Sequence, residues 1–89
     1  MRFSYKKHVV KKIKFLKQQS NINISKIIIE KTISNPLDVD TETDKPRIIA
    51  SAKLDDDHVL RVVYKVKNDI IIVITCYPAK KRRYFKYEN

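Results

Sequence analysis

Residues 47–78 read RIIASAKLDDDHVLRVVYKVKNDIIIVITCYP, and this run decides the fold. From Arg47 the apolar period is two. Ile48, Ala50, Ala52 and Leu54 share one strand face, while Arg47, Ser51 and Lys53 share the other, over residues 47–54. Asp55-Asp56-Asp57-His58 makes a turn. Residues 59–67 form the next strand, with Leu60, Val62, Tyr64 and Val66 inward and Arg61, Lys65 and Lys67 outward. Asn68-Asp69 suits a hairpin, because Asn and Asp tolerate left-handed backbone better than other non-glycine residues. Residues 70–77 are nearly all apolar, which predicts a central strand covered on both faces and closed by Pro78.

Upstream the period lengthens. Over residues 6–19, Val9, Ile13 and Leu16 follow helical spacing, with Lys7, Lys11, Lys14 and Lys17 turned away. His8, Lys12 and Phe15 form a second row bordering that stripe. Ser20-Asn21-Ile22-Asn23 interrupts the pattern, and Ser25 is the expected N-cap of a second helix ending near Ser34, so that residues 25–34 complete a helical hairpin. This helix is expected to bury Ile24, Ile27, Ile28 and Ile33, and Pro36 stops it. Asp38 to Lys45 reads as an acidic loop, and Arg2–Tyr5 as a short extra strand. The expected architecture is α+β: an N-terminal helical hairpin packed on a three-strand antiparallel meander, with a basic C-terminal tail over residues 79–89.

Composition narrows the functional classes. The 89 residues hold 20 Lys plus Arg against 10 Asp plus Glu, a formal charge of +10, which points to a polyanionic partner in a single small domain. Both ends are basic, and the middle, residues 35–69, is mildly acidic. There is no glycine, which excludes Gly-rich phosphate loops, dinucleotide fingerprints and nucleophile elbows. The single cysteine, Cys76, allows no internal disulfide. The longest strongly apolar run, Ile70 to Ile74, is too short to span a bilayer, so a cytoplasmic protein without a membrane partner is expected.

Ser51, Lys53, Arg61 and Lys65 project from one sheet face, and the basic aromatic tail can fold against it. Clustered cations with tyrosines suit RNA, since guanidinium groups pair with phosphates and rings stack on unpaired bases. Outward cations also serve simply to keep a sheet soluble. Arg61 is the sharper signal, being mid-strand between apolar neighbours. His8 is a candidate for proton transfer, or else a histidine packing on Phe15. His58, in its aspartate turn, reads as exposed. His8, His58 and Cys76 lack metal-ligand spacing, and the Asp38/Asp40/Glu42/Asp44 alternation lacks the features of a calcium loop, so neither metal nor cofactor is expected.

The run Leu60-Arg61-Val62-Val63-Tyr64-Lys65-Val66, the apolar Ile70–Thr75 strand and the basic Lys80–Tyr84 segment resemble the RelE/ParE toxin superfamily. His8 with Lys12, Ile24-Ser25, Asn35-Pro36 and Ile74-Thr75-Cys76-Tyr77-Pro78 look like its small BrnT-like relatives of uncharacterised function. The resemblance implies a RelE-like fold and a metal-independent endoribonuclease acting on mRNA, with or without the ribosome, and neutralised by an acidic antitoxin protein. It places phosphate-binding and catalytic roles on Arg61, Arg83 and Tyr84, with Lys53 as a basic neighbour and His8 as a further proton-transfer candidate. Lys12, Lys65, Lys80, Lys81 and Arg82 would then bind RNA. The alternatives are a non-catalytic RNA-binding module and a ParE-like protein-binding toxin. Relatives usually show Arg where this chain has Lys12, and Gly where it has Asn21. A strict two-residue turn at Asn68-Asp69 would pair Arg61 with Cys76, whereas a three-residue turn or a bulge reverses that register. Both registers are compatible with the sequence.

Overall fold

The computed structural model describes residues 2–84, with the side chains of Arg83 and Tyr84 outside the description. The chain is α+β. In order it forms β1 (Arg2–Tyr5), α1 (Lys7–Ser20), α2 (Lys26–Ser34), β2 (Asp38–Asp40), β3 (Ile48–Lys53), β4 (His58–Lys67), β5 (Ile70–Lys80) and α3 (Lys81–Tyr84). The strands make one mixed sheet in the order β1-β5-β4-β3-β2. Strands β2 to β5 pair antiparallel with their chain neighbours, and β1 lies parallel to β5.

This sheet is larger than the expected three-strand meander at both edges and at the end of β5. The extra strand at Arg2–Tyr5 does form, and it makes β5 an inner strand, as the unbroken apolar run required. Asp38–Asp40 is a short edge strand on β3, not loop, and Leu37 N–H also donates to the Ser51 carbonyl at 2.8 Å. Finally, β5 does not stop at Pro78 but continues to Lys80 opposite His58. β1 pairs only with Ile70–Val73, so Pro78 lies where β5 is an edge and a missing N–H is tolerated.

The helices pack mainly on the sheet, α1 on β5 and α2 on β3 and β4. Their shared core joins Val9, Ile24 and Ile29 to Ala50, Leu60, Val62, Tyr64, Ile71, Val73 and Cys76, all buried. Of the residues expected inward at α2, Ile24 is buried and Ile28 and Ile33 pack against the core, while Ile27 does not. Ile29 and Thr32 are buried, whereas Ile27 is 69% exposed. Thr32 is tolerated inside because its hydroxyl donates to the Ile28 carbonyl at 2.8 Å. Val66 was expected inward but is exposed. Ser25 caps α2 as expected, its Oγ accepting from Ile28 N–H at 3.2 Å.

Tyr5 ties β1 to α2. Its hydroxyl donates to the Glu30 carboxylate, and the Lys26 ammonium lies 4.9 Å from its ring centre. Burial first, and then the Glu30 carboxylate, push the phenol well above its ordinary value.

Without glycine, every left-handed position among the described residues falls to Asn or Asp. Asn21 (φ 53°) ends α1, its N–H and that of Ile22 both bonding the Leu16 carbonyl. Asn68 (φ 51°) and Asp69 (φ 65°) form the β4–β5 hairpin, where two successive positive φ values match the strand twist. The second of these positions favours glycine. Asp69→Gly is therefore expected to stabilise the fold by roughly 0.5–1 kcal/mol, read as a raised urea midpoint, while Asp69→Val lowers it.

Candidate functional site

The register of β4 against β5 determines which side chains meet. From the hairpin, Lys67 pairs with Ile70 and Tyr64 with Val73, but Val63 pairs with Thr75, so Ile74 is an extra residue bulged out of β5. Beyond the bulge Arg61 faces Tyr77, not Cys76. Cys76 turns to the helix-covered face, where it is fully buried, and burial raises its thiol pKa against the opposing pull of Lys12. It is placed as an inert core thiol.

Arg61 therefore lies on the far side of the sheet from the helices, between Ser51 on β3 and Tyr77 on β5. Its Nη1 donates to Ser51 Oγ at 3.2 Å and its Nε to Tyr77 Oη at 3.1 Å. Ser51 is 1% exposed, so this arginine supplies a hydrogen-bond partner that a buried hydroxyl needs. The guanidinium carbon is 6.0 Å from the Tyr77 ring centre, and the Lys12 ammonium, arriving from α1, is 5.6 Å from the same centre. Two cations from different elements thus address one ring. The surrounding far face is not bare, since Ile49, Val59 and Val63 on it are buried.

Asp40, on the same face of β2, accepts hydrogen bonds at its Oδ1 from the Glu42 and Thr43 N–H groups, each at 2.9 Å. Thr43, then Glu42, and more weakly the charge of Arg61, hold its carboxyl down to about 2 from an ordinary 3.8.

The other candidates are spread more widely. Lys53 shares the far face but pairs with Asp56 at 3.6 Å, with both side chains largely exposed. His8 is exposed on the first turn of α1, one turn before Lys12, and makes no hydrogen bond among the described residues. Phe15 is 59% exposed, so the two do not share a buried packing site. Lys80 ends β5, and Lys81 and Arg82 are exposed in α3, whose start is fixed by Lys81 N–H donating to the Asp57 carbonyl at 2.8 Å. The side chains of Arg83 and Tyr84 lie outside the described residues. His58 is only partly exposed, with Nδ1 2.9 Å from Asp55 Oδ1.

Lys65 belongs elsewhere on the far face. With Lys6, Arg47, Pro46 and Ile74 it lines a cleft of about 280 Å³. Among the described residues no cluster of His, Cys, Asp and Glu is arranged to hold a metal ion, and no helix is long and apolar enough to cross a membrane.

The residues that sequence reasoning missed are Tyr77 and Asp40. Tyr77 could be found only by allowing the bulge, and Asp40 only by reading Asp38–Asp40 as a strand. Comparison with known proteins returns no matching family model, no matching curated protein and no matching solved structure.

The low carboxyl pKa of Asp40 carries a sign. A carboxylate favoured in the folded state contributes stability that is fully present above its ordinary value of 3.8 and is lost as pH falls through about 2. In urea unfolding, Asp40→Asn should therefore differ most from wild type above about pH 5 and converge with it on acidification.

Proposed function

We propose that the far face of the sheet is an RNA-binding surface and that the chain is a toxin-like, metal-independent endoribonuclease acting on mRNA and paired with an acidic antitoxin. The observation that carries this reading is the convergence of Arg61 and Lys12 on Tyr77. A phosphodiester placed there meets two fixed positive charges, and a neighbouring base has an aromatic ring on which to stack.

Cleavage by the adjacent 2′-hydroxyl forms a bond from that oxygen to phosphorus and breaks the bond from phosphorus to the 5′-oxygen. One proton leaves the 2′-hydroxyl and one is delivered to the departing 5′-oxygen. Arg61 and Lys12 stabilise the charge that builds on the phosphorane oxygens. Tyr77, which accepts a hydrogen bond from Arg61, joins the earlier candidates Tyr84, Lys53 and His8 for proton transfer. Arg83 supplies further charge in this reading, and Lys65, Lys80, Lys81 and Arg82 extend the cationic surface.

A second reading is a non-catalytic RNA-binding module. It is favoured by the engagement of Arg61 Nε and Nη1 with Tyr77 and Ser51, which makes the guanidinium a fixed cation of the sheet. In a ParE-like protein-binding toxin, by contrast, growth inhibition would survive the loss of Arg61.

End-labelled RNA incubated in EDTA with wild type, Arg61→Ala and Tyr77→Phe separates these readings, with folding checked by circular dichroism. The catalytic reading expects cuts by wild type that fall by at least about 100-fold in Arg61→Ala. Uncut RNA, with salt-dependent binding weakened by the same substitution, selects the binding module. Wild-type protein that neither cuts nor binds RNA overturns the proposal.

A further inference from the structure

The cleft formed by Lys6, Pro46, Arg47, Lys65 and Ile74 takes no part in the Arg61–Tyr77–Lys12 cluster. Three chain segments build it. Lys6 follows β1 and is anchored by its N–H donating to the Val73 carbonyl at 3.1 Å. Pro46 and Arg47 lead into β3, and Arg47 is held by its N–H on the Asp44 carbonyl at 2.8 Å and by its Nε 3.4 Å from Asp44 Oδ2. Lys65 and Ile74 come from β4 and β5 at the bulge, which explains why an apolar residue is available to line the cleft.

The chemistry of this lining is specific in kind. Three cationic and two apolar residues line it, and Asp44 pairs with one of the cations, Arg47. At about 280 Å³ the space is at the small end of ligand sites, which run from roughly 300 Å³ upward. A small ligand that carries both an anionic group and a flat apolar part would match this lining. A nucleotide has that form: its phosphate suits Lys6, Arg47 and Lys65, and its base can lie against Pro46 and Ile74. A carboxylate-rich peptide would satisfy the cations but leave Pro46 and Ile74 without an apolar partner.

We infer that this cleft is a nucleotide-binding subsite that holds one base and its phosphate. Lys65 is four residues from Arg61 on the same strand and face, hence about 13 Å away along β4. A single RNA strand lying on β4 reaches both positions within a few nucleotides, so the subsite gives the surface a place to select a base at a distance from the Arg61 phosphate. This last step rests on the proposed RNA-binding role, whereas occupancy of the cleft by a mononucleotide does not.

Amide chemical shifts of isotope-labelled full-length protein test both separately, using adenosine monophosphate, inorganic phosphate, a short acidic peptide and an adenylate tetranucleotide as probes. The monophosphate is expected to shift Arg47, Lys65 and Ile74, and Lys65→Gln or Arg47→Gln to weaken it about fivefold each. Both side chains are exposed, so these variants keep the fold. The tetranucleotide should in addition shift Ser51, Arg61 and Tyr77. Shifts at the Arg61 cluster without any at the cleft overturn the subsite and leave RNA binding standing. Shifts at the cleft alone uphold the subsite and remove the Arg61 phosphate seat. Equal affinity for inorganic phosphate or the acidic peptide overturns the inference, because charge alone would then account for binding. Absence of any shift overturns both.

Discussion

One extra residue in β5, Ile74, sets the chemistry of the sheet. The strand is apolar at both parities, so its pairing alone does not say which residues face the helices. With no bulge, Cys76 would join Arg61 on the far face and Tyr77 would turn beneath the helices. The Tyr77 hydroxyl would then need a buried partner, and an unsatisfied one costs about 1–3 kcal/mol. The bulge avoids this. It keeps Ile71 and Val73 in the core near the hairpin, puts Cys76 there beyond it, and delivers Tyr77 to Arg61. The core and the candidate site are thus consequences of the same irregularity, and the cleft beside Lys65 uses the displaced residue itself.

The absence of glycine works in the same direction. A chain with no residue indifferent to left-handed backbone must make its tight reversals with Asn and Asp, and it does so at Asn21, Asn68 and Asp69. The two-residue hairpin fixes the register at Lys67–Ile70. With that end pinned, the offset needed to seat Cys76 inside must be absorbed within the strand, and the bulge at Ile74, between Val73 and Thr75, absorbs it.

Much of this was legible where one face is apolar and the other polar. The alternation in Leu60, Arg61, Val62 and Tyr64 marks the strand, though the register that decides the partner of Arg61 stays open until the bulge is seen, and Ser25 announces its helix through a local hydrogen bond that needs no tertiary context. The failures have physical causes. Asp38-Val39-Asp40 is three residues of acidic edge strand, whose pairing with β3 leaves little trace in composition. Ile27 was placed inside because four isoleucines crowd two turns around it, and only packing on β3 and β4 selects Ile29 instead. For the candidate site, Arg61 and Lys12 were identifiable as residues, but their meeting was not, because Tyr77 joins them only through the bulge. His8 and Lys53 are candidates through the resemblance, yet His8 is on an exposed helical turn and Lys53 pairs with Asp56.

Two tyrosines of the sheet show why the Arg61 cluster differs from an ordinary structural contact. Tyr5 has the Lys26 cation over its ring and donates a hydrogen bond to the Glu30 carboxylate, so its surroundings are balanced. Tyr77 has two cations over its ring and accepts a hydrogen bond from one of them. Asp40 senses Arg61 from β2, but its Oδ1 is committed to the backbone of Glu42 and Thr43. Lys12 on α1 and Arg61 on β4 bring their charges to one ring, while the two elements share a common core. A phosphate at Tyr77 would meet both cations at once, and a site whose elements are already held in position loses little on binding one. This local arrangement, rather than the total charge of the chain, is the physical argument for the proposed phosphate at Tyr77.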